Sequence, residues 1–524
     1  MARDSKHEAR IHIGVVGAGT MGQGIVQLFA QAGHRLSVFD AFDGAVPRAI
    51  SNVTALIQRG VAKGRYTQEQ ADALVANISP CFSLDDLADC DLVIEAIIED
   101  VEAKQDLFAS LEDIVSDKAI LASNTSSLVV AEIASKAQHP ERIAGLHFFN
   151  PVPLMRVVEI IAAVRTSTAT VDTLRALVAG TGHRAVIAED QPGFLVNHAG
   201  RGYSTEALRV LEEHVASHEQ VDVIMREAAG FRMGPFELMD LTGLDISGKA
   251  MASIYEQFHQ EPRFRPSALV PPRMAAGLFG RKTSEGWYRY DDQGKAVLTQ
   301  TQATVPTLPD GLKLWIEPQS AQFKEVCGLA QDAGVELVDQ AQEADICIVQ
   351  PWGQDATNAS LAYGLDATRT VALDPLCPFV LHRCLMLTAV TDRQVRDAAH
   401  ALLASDGVAV SLINDSPGFV VQRVLATIVN IAANIAQRRS RRHRRCSETG
   451  ARISAWPAVL GRQDWRYKCA ENSQQHARHD RRPPLPPQPL AGTSRETGPV
   501  SAHTRSRAQL KRKPFDTALS DACI

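Results

Sequence analysis

Two residues twelve positions apart carry the first chemical signal in this chain, His147 and Glu159. His147 ends the apolar run that begins at Ala144, and the Pro-bracketed turn Pro151-Val-Pro153 leads to a second apolar run, Met155 to Ile161. On a strand, Val157, Glu159 and Ile161 share one face by the two-residue period. A carboxylate on an apolar strand face is costly without a partner, and His147, across one turn, is the nearest candidate. A buried carboxylate beside an imidazole holds its tautomer and stabilises the imidazolium once a proton arrives, as a general base requires. A purely structural His–Glu pair has the same residue types, so the surroundings must decide.

Those surroundings begin with Ile11 to Val16, a short β-branched run that leads directly into Gly17-Ala-Gly19-Thr20-Met21-Gly22. A helical pattern follows through Ala32, Gly33 stops it, and a second strand, Arg35 to Asp40, ends in an acid. Strand, glycine-rich turn, helix and acid-terminated strand together form the dinucleotide-binding fingerprint in its required context. Gly17 permits the tight turn, Gly19 lets backbone approach a pyrophosphate, and Gly22 allows close helix–strand packing. The first helical turn, with Thr20 and Met21, offers N–H groups to phosphate. Asp40 accepts from a ribose and repels a 2′-phosphate, which favours NAD over NADP. A glycine-rich structural turn is the alternative. Further along, Asp91 to Ala96 reads as a strand, and Glu99 and Lys104 open the next amphipathic helix. The strand Ala119 to Ser123 delivers Asn124-Thr-Ser-Ser127 to its carboxyl end, where ligands of open α/β sheets bind. Ser127 is positioned to cap the following helix, which leaves Ser126 to face the cleft.

With 524 residues, 45% hydrophobic and 22% charged, the chain is expected to fold into about three globular domains. The sequence shows no stretch of about 18 uncharged apolar residues, and Met1 to Arg10 is too polar for a signal peptide, so none is expected. Nine cysteines without CxxC spacing suggest neither a disulfide framework nor a metal site, so the expectation is a cytoplasmic enzyme with reduced thiols, no metal and no membrane partner. The net charge of −6 hides an asymmetry: residues 438–524 carry 19 Lys and Arg against 7 Asp and Glu, leaving the first 437 residues at −18.

The fingerprint Gly17 to Gly22, Asn124-Thr-Ser-Ser127, Leu146-His-Phe-Phe-Asn-Pro-Val-Pro153 and Glu159, in this order, resemble the 3-hydroxyacyl-CoA dehydrogenases. The resemblance implies NAD as cofactor, an acyl-CoA substrate and a homodimer. It makes His147 the base that takes the 3-hydroxyl proton while hydride leaves C3, with Glu159 as its partner. It assigns Ser126 to the substrate oxygen and places Glu99, Lys104 and Asn124 along the nicotinamide half of the NAD site. Asn197 falls on the family's substrate amide, although an Asn in the first turns of a helix is often a surface residue. Lys63 is a further candidate for CoA phosphates, or a solvated surface lysine.

The implied fold class is an α/β Rossmann domain, doubly wound around a mostly parallel sheet, over residues 8–189. An all-α C-terminal domain follows over 190–292, with Pro192 in a first helical turn and Ser217 and Gln220 forming a capping box. After a linker (293–310) come a reduced Rossmann-like module without a nucleotide motif (311–400) and the start of a second helical domain (401–437). An internal repeat at an offset of 225 residues supports this: Asp190-Gln-Pro-Gly-Phe-Leu-Val-Asn197 returns as Asp415-Ser-Pro-Gly-Phe-Val-Val-Gln422. At that offset His147 maps to Ala372, Glu159 to Cys384 and Asn197 to Gln422, so the second copy is expected to be structural.

The layout resembles long members acting on 3-hydroxybutyryl-CoA or 3-hydroxyadipyl-CoA, in fatty acid β-oxidation or phenylacetate degradation. An arginine such as Arg201 could meet a terminal carboxylate. The basic, Pro-rich stretch 438–524 reads as nucleic-acid binding, as a disordered extension, or, the favoured reading, as the product of a frame shift near Gln437, with no nucleic-acid partner. Two rival functions are an inactive NAD-binding remnant and an NAD dehydrogenase of a free hydroxy acid.

Overall fold

The computed structural model describes residues 10–297 and 304–442, with side chains through Gln437. The frame-shift and tail expectations for 443–524 lie outside the described residues. The chain opens with β1 (His12–Val16), α1 (Thr20–Gln31), β2 (Arg35–Phe39), α2 (Ala45–Ala62), α3 (Gln68–Ala76) and β3 (Ile78–Pro80). It continues with β4 (Leu92–Glu95), α4 (Val101–Ile114), β5 (Ile120–Ser123), α5 (Val130–Ile133), β6 (Ile143–Phe148), β7 (Val157–Ala162), α6 (Thr168–Gly180) and β8 (Arg184–Glu189). The eight strands form one sheet in the order β3-β2-β1-β4-β5-β6-β7-β8, parallel except for the β6–β7 pair. The order reverses between β1 and β4, the switch point at which open α/β sheets bind ligands. The central strands are fully buried apolar runs, as expected where helices cover both faces.

The helical region that follows comprises α7 (Val196–Glu212), α8 (His218–Val223), α9 (Pro235–Thr242), α10 (Leu244–Gln257) and α11 (Val270–Ala275), closed by a hairpin of β9 (Arg289–Tyr290) and β10 (Ala296–Val297). The Ser217–Gln220 capping box is present on α8. Pro192 is not in a helix: Gln191 to Phe194 form a turn, Phe194 takes φ 50°, and α7 starts only at Val196.

A second sheet has the order β12-β11-β13-β14-β15-β16, built from β11 (Lys313–Ile316), β12 (Glu336–Leu337), β13 (Ile346–Val349), β14 (Thr370–Leu373), β15 (Arg383–Leu387) and β16 (Val410–Ile413). Helices α12 (Phe323–Asp332), α13 (Ala356–Ala362) and α14 (Arg393–Leu403) cover it, and α15 (Val420–Arg442) leaves it. The helix of α15 continues through the basic residues that begin at Arg438.

Between Val420 and Gln437, α15 is long and apolar enough to cross a membrane, with mean hydropathy 1.2, a property that the charge-based sequence reading did not register. Its packing makes it a core helix. Val420, Val421, Val424, Leu425 and Ile428 share one hydrophobic cluster with Tyr203, Ala207 and Leu208 of α7. Arg423 is 4% exposed and bonds Glu206 at 2.8 Å and Glu213 at 2.6 Å. A side chain at Gly202 would press on Thr427, Ile428 and Ile431, so glycine there sets how closely the two helices approach.

Candidate active site

Strands β6 and β7 are antiparallel, and their register sets His147 directly opposite Glu159. His147 Nδ1 lies 2.7 Å from Glu159 Oε2, with the two residues 4% and 0% exposed. The other carboxylate oxygen accepts from the backbone N–H groups of Leu195 and Val196 at 2.9 and 2.8 Å. Glu159 therefore performs two tasks, holding the imidazole and capping α7. The positive end of a helix favours a carboxylate at that position, which offsets the cost of placing one on an apolar strand face. The His147 ring lies against Phe149 and Phe194, at centroid distances of 4.4 and 5.7 Å. With Nδ1 committed to Glu159, Nε2 on the opposite side of the ring is the nitrogen that can exchange a proton with a ligand.

Asn124, at the end of β5, accepts from Phe148 N–H at 2.9 Å through its side-chain oxygen. That bond ties the Asn124 loop to the residue after His147. Glu99 organises the same loop from the other side. Its Oε1 accepts from Thr125 Oγ1 at 2.7 Å, Ser126 N–H at 2.9 Å, and the N–H and hydroxyl of Ser127 at 3.1 and 3.0 Å. Ser126 Oγ stands at 3.4 Å, the long limit of such a bond. Burial works against ionising Glu99, but the Lys104 ammonium and these donors outweigh it and hold the carboxyl below its usual range.

Lys104 is 1% exposed, and its ammonium lies 2.5 Å from Glu95 and 3.4 Å from Glu99. It anchors these two carboxylates beneath the loop of residues 124–127. Glu95, which the sequence reading passed over, also accepts from Ser123 Oγ at 2.6 Å and Ile97 N–H at 2.7 Å. Its position as the last residue of a buried strand was the available signal. Gly24 was missed as well. A side chain there would meet Val152 at 2.8 Å, so α1 approaches the Pro151–Pro153 turn through glycine.

Ser127 does not cap the next helix. α5 begins at Val130, and Asp190 caps it from 60 residues away, accepting from the N–H groups of Val130 and Ala131 at 2.8 and 2.7 Å. Gln257 of α10 donates to the Ser127 carbonyl at 3.0 Å and joins the helical region to the loop. Asn197 is the second residue of α7, half-buried, beside the N–H groups that bind Glu159. Lys63 stands exposed at the C-cap of α2, and no interaction links it to these clusters.

The glycine turn fits a dinucleotide. Gly17 has φ 105°, and a side chain on it would meet the Ala96 carbonyl at 2.5 Å; one on Gly22 would meet the Gly17 carbonyl at 1.8 Å. A side chain on Gly19 would meet nothing within 4 Å, so that backbone is open on the ligand side. Thr20 and Met21 form the first turn of α1 behind it. Asp40 braces the turn by accepting from Ala18 N–H at 2.7 Å and from Phe42 N–H at 2.8 Å. A carboxylate offers about four lone-pair positions, which leaves capacity for ribose hydroxyls.

Comparison with known proteins agrees with this geometry. Residues 12–191 match the family model of the 3-hydroxyacyl-CoA dehydrogenase NAD binding domain, and residues 193–290 match the model of its C-terminal domain. The chain is 32% identical over 479 residues to a 3-hydroxyadipyl-CoA dehydrogenase of Escherichia coli K12, covering 90% of this chain and 94% of that protein. Such coverage carries the similarity past Gln437, further than the motifs alone suggest. A 3-hydroxybutyryl-CoA dehydrogenase of Clostridioides difficile is 36% identical over 279 residues, covering 53% of this chain and 99% of that protein. The crystal structure of a 3-hydroxybutyryl-CoA dehydrogenase from E. coli K12 superposes with a TM-score of 0.75 at 31% identity, covering 91% of this chain and 97% of that one. The chain belongs to the 3-hydroxyacyl-CoA dehydrogenase family of NAD-dependent oxidoreductases.

Proposed function

We propose that this chain interconverts a 3-hydroxyacyl-CoA and a 3-oxoacyl-CoA, with His147 as acid and base. The observation that carries this reading is the buried 2.7 Å contact between His147 Nδ1 and Glu159. NAD, when bound, supplies the hydride acceptor. His147 Nε2 takes the 3-hydroxyl proton as hydride leaves C3, and Glu159 stabilises the imidazolium that results. In the reverse direction His147 returns the proton to the oxygen. Ser126 donates its hydroxyl to the substrate oxygen in place of its long contact with Glu99. The Asn197 side-chain amide meets the same oxygen or the thioester carbonyl from the start of α7. Gly17, Gly19, Thr20, Met21, Gly22 and Asp40 hold the adenosine half of the cofactor. Glu99 and Asn124 shape the nicotinamide half, with Lys104 acting through Glu99 from below. Lys63 is assigned to CoA phosphates on its charge alone.

The substrate is proposed to be 3-hydroxybutyryl-CoA or 3-hydroxyadipyl-CoA, in β-oxidation or phenylacetate breakdown in the cytoplasm. Free thiols at all six cysteines among the described side chains accord with that compartment. Homodimer formation is part of the proposal. A dimer must use surfaces other than the α7 face that α15 covers, and light scattering after gel filtration measures the mass. The decisive assay is NADH oxidation with acetoacetyl-CoA and 3-oxoadipyl-CoA, alongside His147→Gln. Turnover that collapses in the variant supports the base. NAD binding without turnover of either thioester overturns the reading and leaves a nucleotide-binding remnant.

A further inference from the structure

Four arginines are buried among the described residues: Arg142, Arg201, Arg383 and Arg423, all 9% exposed or less. Three of them face carboxylates. Arg142 has Glu112 at 3.6 Å, Arg383 grips Asp406 through two nitrogens at 2.7 Å each, and Arg423 lies between Glu206 and Glu213. Arg201 has none. Its Nε is buried without a hydrogen-bond partner. Burial pulls its pKa down to about 10, with no nearby acid to offset it. A guanidinium taken out of water costs several kcal/mol unless a counter-charge meets it. Among the described residues, a fold that pairs its other three buried arginines and leaves this one without a counter-charge has a place for an anion.

The position of Arg201 indicates which anion. It lies on α7, whose first N–H groups bind Glu159, the partner of His147. Asn197 and Arg201 are four residues apart and so share one helix face, with their Cβ atoms about 5–6 Å apart. Arg201 is therefore one helical turn beyond the residue proposed to position the reacting end of the acyl group. A carboxylate three bonds beyond C3 is a group of matching charge and shape, because the planar guanidinium binds carboxylates through two parallel hydrogen bonds. A neutral alkyl chain would leave the charge unpaired.

We propose that Arg201 is a specificity-determining residue that binds the terminal carboxylate of a dicarboxylic acyl-CoA, so that this chain prefers a 3-hydroxy or 3-oxo acyl-CoA ending in a carboxylate over a neutral chain of equal length. The proposal rests on the reaction assigned above. The test compares kcat/KM for 3-oxoadipyl-CoA and 3-oxohexanoyl-CoA, which differ only at the terminal group, in wild type and in Arg201→Met. The wild-type ratio is expected to exceed about tenfold, and to fall by about tenfold or more in the variant, through KM, since one charge-assisted hydrogen-bonded pair is lost. Arg201→Lys should keep part of the preference. A merely structural arginine would lower the melting temperature when replaced, whereas removal of an unpaired buried charge leaves it unchanged or raised.

A wild-type ratio near one, or a ratio unchanged in a folded Arg201→Met protein, overturns the proposal. Calorimetric binding of adipyl-CoA and hexanoyl-CoA, which requires no turnover, separates this failure from that of the proposed reaction. Tighter binding of adipyl-CoA that depends on Arg201 supports the arginine even if hydride transfer is absent, and equal binding overturns it.

Discussion

The two halves of this chain share a strand pattern and differ in what occupies its centre. In the first half, β6 and β7 carry His147 opposite Glu159, and α7 brings Asn197 to the same place. In the second half, β14 and β15 repeat the antiparallel pair and α15 repeats the helix. The offset of 225 residues would set Ala372 opposite Cys384, but the strand register does not: Ala372 lies opposite Met386, two residues further along, while β15 keeps the offset against β16 that β7 has against β8. A shift of two keeps each side chain on its face, so the core survives while the former pair is broken. Gln422, the counterpart of Asn197, is 1% exposed, donates to Asp374 at 2.8 Å and accepts from Gly353 N–H at 2.9 Å. The position that stays half-buried at Asn197 is filled and internally satisfied here.

What the two halves retain is equally informative. Asp415 accepts from the N–H groups of Ala356 and Thr357, the start of α13, as Asp190 does at α5. Phe194 and Phe419 take φ 50° and 51° after glycines that are also at positive φ. The Asp-x-Pro-Gly-Phe repeat is therefore a folding device shared by both copies. The residues that differ, His147, Glu159 and Asn197, are those assigned to chemistry.

The largest effect expected from this contrast is at His147. His147→Gln should lower kcat by roughly 10²–10⁴-fold with NAD affinity intact, whereas Ala372→Gly should leave kcat within about twofold. Steady-state kinetics with fluorescence titration of NADH checks both, and equal losses would break the comparison. Next is Glu159→Gln, which presents an amide to Nδ1 and should lower kcat by roughly 10²-fold. Glu159→Ala should lose in addition about 1 kcal/mol as α7 loses its cap; denaturant titration separates the two variants.

A third expectation concerns pH. Burial pushes the Asp374 carboxyl up to about 6, although donors from Gln422, Leu376 N–H and Cys377 oppose the rise. Because the folded value lies above the unfolded one, near 3.9, the folded state binds the proton more tightly. That contribution is complete below about pH 4 and is lost as pH rises through about 6, on the order of 3 kcal/mol. Asp374→Asn should flatten this part of the stability profile; an unchanged profile would show that Asp374 does not titrate there. The smallest effects are at the shared caps. Asp190→Ala and Asp415→Ala should each cost about 1 kcal/mol, but only Asp190→Ala should also reduce turnover, because α5 follows the Ser126 loop.

Much of this was legible in the sequence. The glycine turn and the His147–Glu159 pair each occupy a short stretch, so steric rules and strand period suffice to read them. The Ser127 cap and the helical Pro192 were misread for one reason: each outcome depends on a partner outside the local segment. Lys104 was assigned by resemblance, and its burial against Glu95 was set by a partner outside its own helix.

The sequence by itself determined the dinucleotide turn, the His147–Glu159 pair and the existence of a second copy that lacks both residues, because these depend on residue identity over short spans. Only the tertiary structure decided that Asp190 caps α5, that α15 is a core helix against α7, and that Arg201 is buried without a counter-charge among the described residues. Each of these is a matter of pairing or of its absence, set by residues tens to hundreds of positions apart. Burial raises the cost of an unpaired charge or N–H group, and only the folded chain shows where that cost is met.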